Sequence, residues 1–177
     1  RVSSTSRGLG DVYKRQTAGH PENFLSDAIE TTTGPLGQGI ANSVGFAMAE
    51  EIQRANYGEK IVDHYTYVFA GDGCLMEGVS QEAIALAGRQ QLSKLIVFWD
   101  NNNITIDGKV ELSDTTNQVE RFKSSGWNVI EIDGHNPVQI NEAIIEAKKN
   151  SKPTMIACET HIALGSVSYT HLRAQET

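Results

Sequence analysis

YTYVFAGDG, residues 65–73, and LIVFWDNNN, residues 95–103, are the two stretches on which the fold turns. Tyr65 to Ala70 is rich in β-branched and aromatic residues and stops at a glycine. Leu95 to Trp99 is apolar without a break and stops at Asp100-Asn101-Asn102-Asn103. An uninterrupted apolar run, rather than strict alternation, belongs to a strand buried on both faces, and such strands are usually parallel. Between the two runs, Ala83, Ile84 and Ala87 recur at helical spacing, which places a helix from about Ser80 to Gln90. Strand, helix and strand make one crossover, and a parallel crossover returns the second polar cluster beside the first.

The same alternation continues outward. A helical pattern covers Thr116 to Lys123, and a third strand runs from Trp127 to Ile132 into Asp133-Gly134-His135. Pro137 opens a helix to about Lys149, and Thr154 to Cys158 forms a fourth strand. Upstream, Ile40, Val44, Ala47, Met48 and Ile52 mark a long helix, with Thr33 as its expected N-cap and Pro35 in its first turn. Gly37, Gly39 and Gly45 lie inside that pattern, where each weakens a helix by roughly 1 kcal/mol against alanine. Close approach to a ligand or another backbone is the expected reason for them. The fold class is therefore α/β, a parallel sheet with helices on both faces. Ligands of such sheets bind at the carboxyl ends of the strands, and three of these ends carry GDG, DNNN and DGH.

The 177 residues suffice for one core and one domain. A net charge of −7 argues against nucleic acid as a partner, because a phosphate backbone calls for a basic face. It leaves room for phosphorylated small molecules, which need only local donors. No run reaches the ~20 apolar residues that span a bilayer, so no membrane role and a cytoplasmic location are expected. Cys74 and Cys158 are too far apart for a metal-ligand spacing and read as reduced, mostly buried thiols.

The two ends read differently from the middle. Residues 1–16 have no helical or strand period and carry four basic residues against Asp11; residues 167–177 are also aperiodic, with balanced charge. Both resemble translated adapter or vector sequence and are expected to be non-native or disordered ends. The folding domain is expected over 17–166.

A GDG triplet alone reads as a tight turn. Twenty-seven residues separate Gly73 from Asn101-Asn102, and this spacing resembles the GDG…NN motif of thiamine-diphosphate enzymes. Magnesium prefers oxygen ligands in octahedral geometry and commonly bridges phosphates. The resemblance makes Asp72, Asn102 and the backbone carbonyl of Ile104 the metal ligands. Calcium or manganese would be acceptable substitutes. It gives the cofactor diphosphate Asp72, Gly73 and Asn102, with Gly73 admitting close backbone approach.

The flanking motifs narrow the family. Gly19-His20-Pro21-Glu22, ETTTGPLGQGIAN from Glu30, IVDHYTY from Ile61 and GDGCLMEG from Gly71 together resemble transketolase, in order and with near-native gaps. The resemblance covers about 17–166 and implies the diphosphate-binding domain of the thiamine-diphosphate fold, truncated. It implies that Gly34, Pro35 and Leu36 line the aminopyrimidine region of the cofactor. It gives His20 a catalytic place near the ketose hydroxyls, and Glu77 a place in an acidic cluster at the subunit interface. His64 and His135 are read as structural. In Thr160-His161-Ile162-Ala163-Leu164-Gly165-Ser166 the family usually reads T-x-IGFGS, so Ala163 and Leu164 depart from it.

The implied reaction is transfer of a two-carbon ketol unit from a ketose phosphate to an aldose phosphate, in the pentose phosphate pathway. The expected partners are sugar phosphates and a second transketolase subunit, whose pyrimidine domain acts in trans. No such domain fits in 177 residues, so the piece by itself is expected to be inactive. The alternatives are the first subunit of a split transketolase, or a formaldehyde transketolase (dihydroxyacetone synthase).

Overall fold

The computed structural model describes residues 23, 24, 26–105 and 108–165. The chain divides into two units, Arg1–Gly34 and Pro35–Thr177. In the first, Ser26 organises a turn: its carbonyl accepts from the Ile29 N–H at 3.1 Å and its hydroxyl from the Ala28 N–H at 3.3 Å.

Helix α1 spans Gln38–Tyr57 and is followed by strand β1, Thr66–Gly71. A five-residue helix α2, Asp72–Met76, leads into α3, Gly78–Gln90, and then into β2, Leu95–Asn101. After a single 3₁₀ turn at Val110–Leu112 come α4, Gln118–Ser124, and β3, Asn128–Asp133. Helix α5, Pro137–Ala147, and β4, Thr154–Glu159, complete the order. All four strands are parallel, in the order β1-β2-β4-β3.

The path from β2 to β3 passes over the position of β4, and α5 brings the chain back. Right-handed connections place a returning helix on the opposite face. The cores agree. Ile40, Val44 and Ala47 of α1, Ala83, Ile84 and Ala87 of α3 and Phe122 of α4 pack on Ala70, Val97, Trp99 and Met155. On the other face, Ala143 and Ala147 of α5 pack against Ile96, Phe98 and Ile156. β2 alternates strictly between these two cores, which is why its sequence shows no polar positions until Asp100.

Sequence and structure agree on all four strands to within one or two residues. Two local readings need correction. Helix α1 starts at Gln38, not after Thr33, and Gly37 holds the N-cap position at φ +82 with no side-chain cap. A left-handed backbone favours glycine, and a Cβ there would lie 2.6 Å from Cβ of Glu77. Close approach thus explains Gly37. It does not explain Gly45, which is exposed and meets nothing within 4 Å. The second correction is α2, which the sequence pattern missed. Its last carbonyls are held from α3: Ser80 Oγ donates to the Cys74 carbonyl at 2.6 Å, and the Gln81 amide donates to the Leu75 carbonyl. Five residues are too few to show a period.

The caps that did form are side-chain oxygens. Asn117 accepts from the Glu120 N–H, and Asn136 accepts from the N–H groups of Val138 and Gln139, with Pro137 at the first helical position. Glu50, on the inner side of α1, is only 1% exposed and pairs with Lys94 Nζ at 2.7 Å. This ion pair ties α1 to the entry of β2. No helix among the described residues is long and apolar enough to cross a membrane.

Candidate functional site

The carboxyl ends of the strands lie together because every strand points the same way. β1 ends at Gly71, and Asp72 opens α2 directly after it. The carboxylate is therefore fixed by two elements at once. It is only 6% exposed. Trp99, on the neighbouring strand, donates its indole N–H to Asp72 Oδ1 at 3.0 Å. The other oxygen, Oδ2, is buried and has no hydrogen-bond partner.

A buried carboxylate with an unpartnered oxygen carries a desolvation cost. Burial accordingly pushes the Asp72 carboxyl above the ordinary aspartate range, and the negative Asp100 adds to this. The Trp99 bond and the nearby amides of Asn102 and Asn103 pull it back without outweighing burial. Those two amides face the carboxylate but do not reach hydrogen-bond geometry with Oδ2. A cation at Oδ2 would remove the cost.

Asn102 sits just past β2, in a turn that organises its own side chain. Its Oδ1 accepts from the Ile104 N–H at 3.0 Å, and its Nδ2 donates to Asp100 at 3.2 Å. These two bonds fix the amide so that Oδ1 is the end with spare acceptor capacity. Asn103 adopts φ +60, and its carbonyl accepts from the Val110 N–H. Ile104 bridges to Lys109 in an isolated antiparallel pair. Asp100 also accepts from the hydroxyl of Thr160, which joins the ends of β2 and β4.

A cavity of about 540 Å³ opens here. Asp72, Trp99, Asn101 and Asn103 form one side, the 110–119 segment a second, and the ends of β3 and β4 a third. Asn102 and Ile104 border the turn but are not among its lining residues. Among the described residues, six carboxylates line it, from Asp72, Glu111, Asp114, Glu131, Asp133 and Glu159, and no lysine, arginine or histidine does. A bare diphosphate would be repelled by such a wall. A divalent cation would give Asp72 Oδ2 a partner and offset part of the anion's charge, and an aspartate with an amide and peptide carbonyls is the oxygen set that magnesium takes. The residues present therefore fit a magnesium-diphosphate pair. Among the described residues no group of three or more histidine, cysteine, aspartate or glutamate side chains is arranged for a metal. A site with one carboxylate and amide or peptide oxygens is of another kind.

The remaining sequence-based candidates are distributed as follows. Leu36 is 47% exposed, and a Cβ on Gly73 would lie 3.0 Å from its Cδ1. The PLG segment and the GDG turn are thus in contact, and Gly73 is small because Leu36 lies over it. Pro35 is exposed beside Leu36. Gly34 is exposed and belongs to the first unit. Glu77 is exposed at the N-cap position of α3 and caps nothing with its side chain. His20 lies outside the described residues. His135 accepts from the His161 N–H at 2.8 Å through Nε2, a contact between the loops after β3 and β4. The two cysteines are half-buried rather than buried. Burial, with the nearby Asp100, pushes the Cys158 thiol up to about 11, so it is protonated and unreactive at neutral pH.

Two participants had no sequence signal. Trp99 reads as core, and half of that is true, but its indole N–H holds Asp72. Gln118 is 6% exposed at the start of α4, lines the cavity and leaves Oε1 without a partner, while its Nε2 donates to Asp114 at 3.0 Å.

A family model described as the transketolase thiamine diphosphate binding domain matches residues 11–175. The transketolase of Rhodobacter capsulatus is 57% identical over 149 residues, which is 84% of this chain and 22% of that protein. That of Cereibacter sphaeroides is 54% identical over 151 residues. Among solved structures, a Pichia stipitis transketolase described as a complex with sedoheptulose 7-phosphate superposes with TM-score 0.79 at 51% identity, covering 85% of this chain and 23% of that one. The Campylobacter jejuni transketolase gives TM-score 0.75 at 45% identity, with 80% and 22% covered. The chain thus spans just over a fifth of the length of these relatives.

Proposed function

The chain belongs to the transketolase family, within its thiamine diphosphate-binding domain, and from that premise we propose that Asp72, Asn102 and Ile104 hold a magnesium ion against the cofactor diphosphate. The observation that carries this reading is Asp72 Oδ2, buried and unpartnered at the end of β1 in a cavity that no basic residue lines among the described residues. Asp72 would give the metal its one charged oxygen, held in place by the Trp99 indole. Asn102 would offer Oδ1, oriented by its bonds to Ile104 and Asp100. The Ile104 carbonyl would be the third protein ligand. Gly73, at the start of α2, would turn its free N–H to the diphosphate. Leu36, exposed over Gly73, would give the aminopyrimidine an apolar surface, with Gly34 and Pro35 beside it in sequence. His20 would bind the ketose hydroxyls, and Glu77 would join the subunit interface.

The bound cofactor supplies the carbanion chemistry of two-carbon ketol transfer between sugar phosphates, and the protein binds and orients. The catalytic partner is a pyrimidine domain of a second subunit. A piece spanning just over a fifth of its relatives' length would be inactive alone, and its parent would work in the cytoplasm, in the pentose phosphate pathway.

The test is a graft. Residues 23–165 replace the matching stretch of the Rhodobacter capsulatus enzyme, and cofactor binding is followed by calorimetry with and without magnesium. Asp72→Ala is expected to abolish the magnesium-dependent binding in the graft. Binding unchanged by that substitution would overturn the site assignment.

A further inference from the structure

The two tryptophans of the chain place their indole N–H groups differently. An indole has one donor and no acceptor, and when buried it needs one partner. Trp127 takes a backbone group, the Ile84 carbonyl, at 2.8 Å. Trp99 donates instead to a charged side chain, Asp72 Oδ1, at 3.0 Å. That choice makes the two oxygens of one carboxylate unequal. Oδ1 is taken, and Oδ2 is buried with no hydrogen-bond partner.

Neither group is free to undo the asymmetry. Trp99 is 7% exposed and belongs to the core that α1, α3 and α4 build on the sheet. Its register neighbours are alanines on both sides, Ala70 on β1 and Ala157 on β4, which leaves the breadth of sheet that an indole needs. Packed there, the ring cannot swing its N–H elsewhere. Asp72 passes directly from β1 into α2, whose carbonyls at Cys74 and Leu75 are held by Ser80 and Gln81. The carboxylate is thus fixed through its backbone and through one oxygen.

The asymmetry bears on which cation fits. Calcium takes roughly 6–8 oxygens in flexible arrangements and accepts a carboxylate by one oxygen or by both. Magnesium demands about six in near-octahedral geometry, and the bite of a carboxylate is too narrow to span two such positions. The indole N–H turns its positive end to Oδ1, so a cation seeking both oxygens meets a competitor there. A cation content with Oδ2 meets none.

We propose that Trp99 is a metal-selectivity residue: by reserving Oδ1, its indole N–H makes Asp72 a one-oxygen donor and biases the site toward magnesium over calcium. The inference rests on the reading of Asp72 as a metal ligand. Trp99 acts through Asp72 and is a positioning residue, not a ligand.

The experiment uses the graft of residues 23–165 in the Rhodobacter capsulatus enzyme. Magnesium and calcium are titrated separately by calorimetry, each with thiamine diphosphate in excess. Trp99→Phe removes the donor. Trp99→benzothienylalanine replaces only the N–H by sulfur and keeps the ring, so it serves even if the phenylalanine variant does not fold. The ratio of the calcium Kd to the magnesium Kd is expected to fall about tenfold, the scale of one hydrogen bond to a charged group. A merely structural role would weaken both metals alike. A ratio that is unchanged or raised in the benzothienylalanine protein therefore overturns the proposal. Asp72→Ala in the same titrations separates the two readings. If metal binding survives that substitution, the ligand assignment fails and the selectivity fails with it. If binding is lost but the ratio ignores Trp99, the selectivity alone fails.

Discussion

Gly88→Ala and Gly45→Ala make the same chemical change inside two helices, and the structure gives them opposite signs. Gly45 lies on the exposed side of α1, with nothing within 4 Å of a new Cβ. Alanine there gains helix propensity and narrows the unfolded ensemble, for a stabilisation of about 1 kcal/mol. Gly88 is buried near the end of α3, and a new Cβ would lie 1.8 Å from the Ser125 carbonyl oxygen and 3.2 Å from Trp127 Cδ1. The obstacle is backbone, in a turn that cannot easily withdraw. Gly126 in that turn holds φ +88, the Trp127 indole donates to the Ile84 carbonyl at 2.8 Å, and Phe122 meets Trp127 edge-on at 5.0 Å. Making room would cost roughly 1–3 kcal/mol of overpacking and about 1 kcal/mol for the strained Trp127 bond. After the propensity gain of about 1 kcal/mol, the net loss is about 1–3 kcal/mol, or roughly 3–10 °C in Tm for a domain of this size. Urea and thermal unfolding by circular dichroism measure both variants. A Gly88→Ala protein as stable as wild type, or a Gly45→Ala protein equally destabilised, would refute the packing argument.

Two further predictions concern single positions. Asp72 has its folded carboxyl raised by burial, so below the ordinary aspartate range both states are protonated and no charge is buried. As pH rises the unfolded state ionises first, and metal-free stability falls until the folded group ionises as well. Asp72→Asn should therefore gain on wild type across that window in urea midpoints without metal, and a difference independent of pH would contradict it. Ala163 holds φ +54 at a place where the family motif reads glycine, and a non-glycine residue there costs roughly 1–2 kcal/mol. Ala163→Gly should relieve this local strain, and unfolding midpoints raised by a few degrees would show it, while a lower midpoint would not fit.

Some of the molecule was open to reading from residues alone, and the reason is periodicity. Leu95 to Trp99 is buried on both sides, so every residue is apolar and the strand is visible without knowing its neighbours. The GDG and DNNN clusters sit at strand ends because a parallel crossover brings them there, and their spacing carries that information. The motifs around them named the family. What failed to show was short or non-periodic. Helix α2 has five residues and depends on Ser80 and Gln81 from the next helix to satisfy its carbonyls. The start of α1 is set by a glycine in a left-handed conformation pressed against Glu77, forty residues away.

The sequence by itself determined the local units: four parallel strands, the helices between them, and an aspartate and an asparagine at adjoining strand ends. Local pattern and crossover length suffice for these, because each is set by residues close in the chain. The tertiary structure alone decided two things. It decided that Trp99 holds Asp72 by one oxygen and leaves the other bare, and that the surrounding cavity is walled by carboxylates. Each depends on side chains tens of residues apart meeting in space, and burial, charge and exposure there belong to the assembled neighbourhood, not to any one stretch of chain.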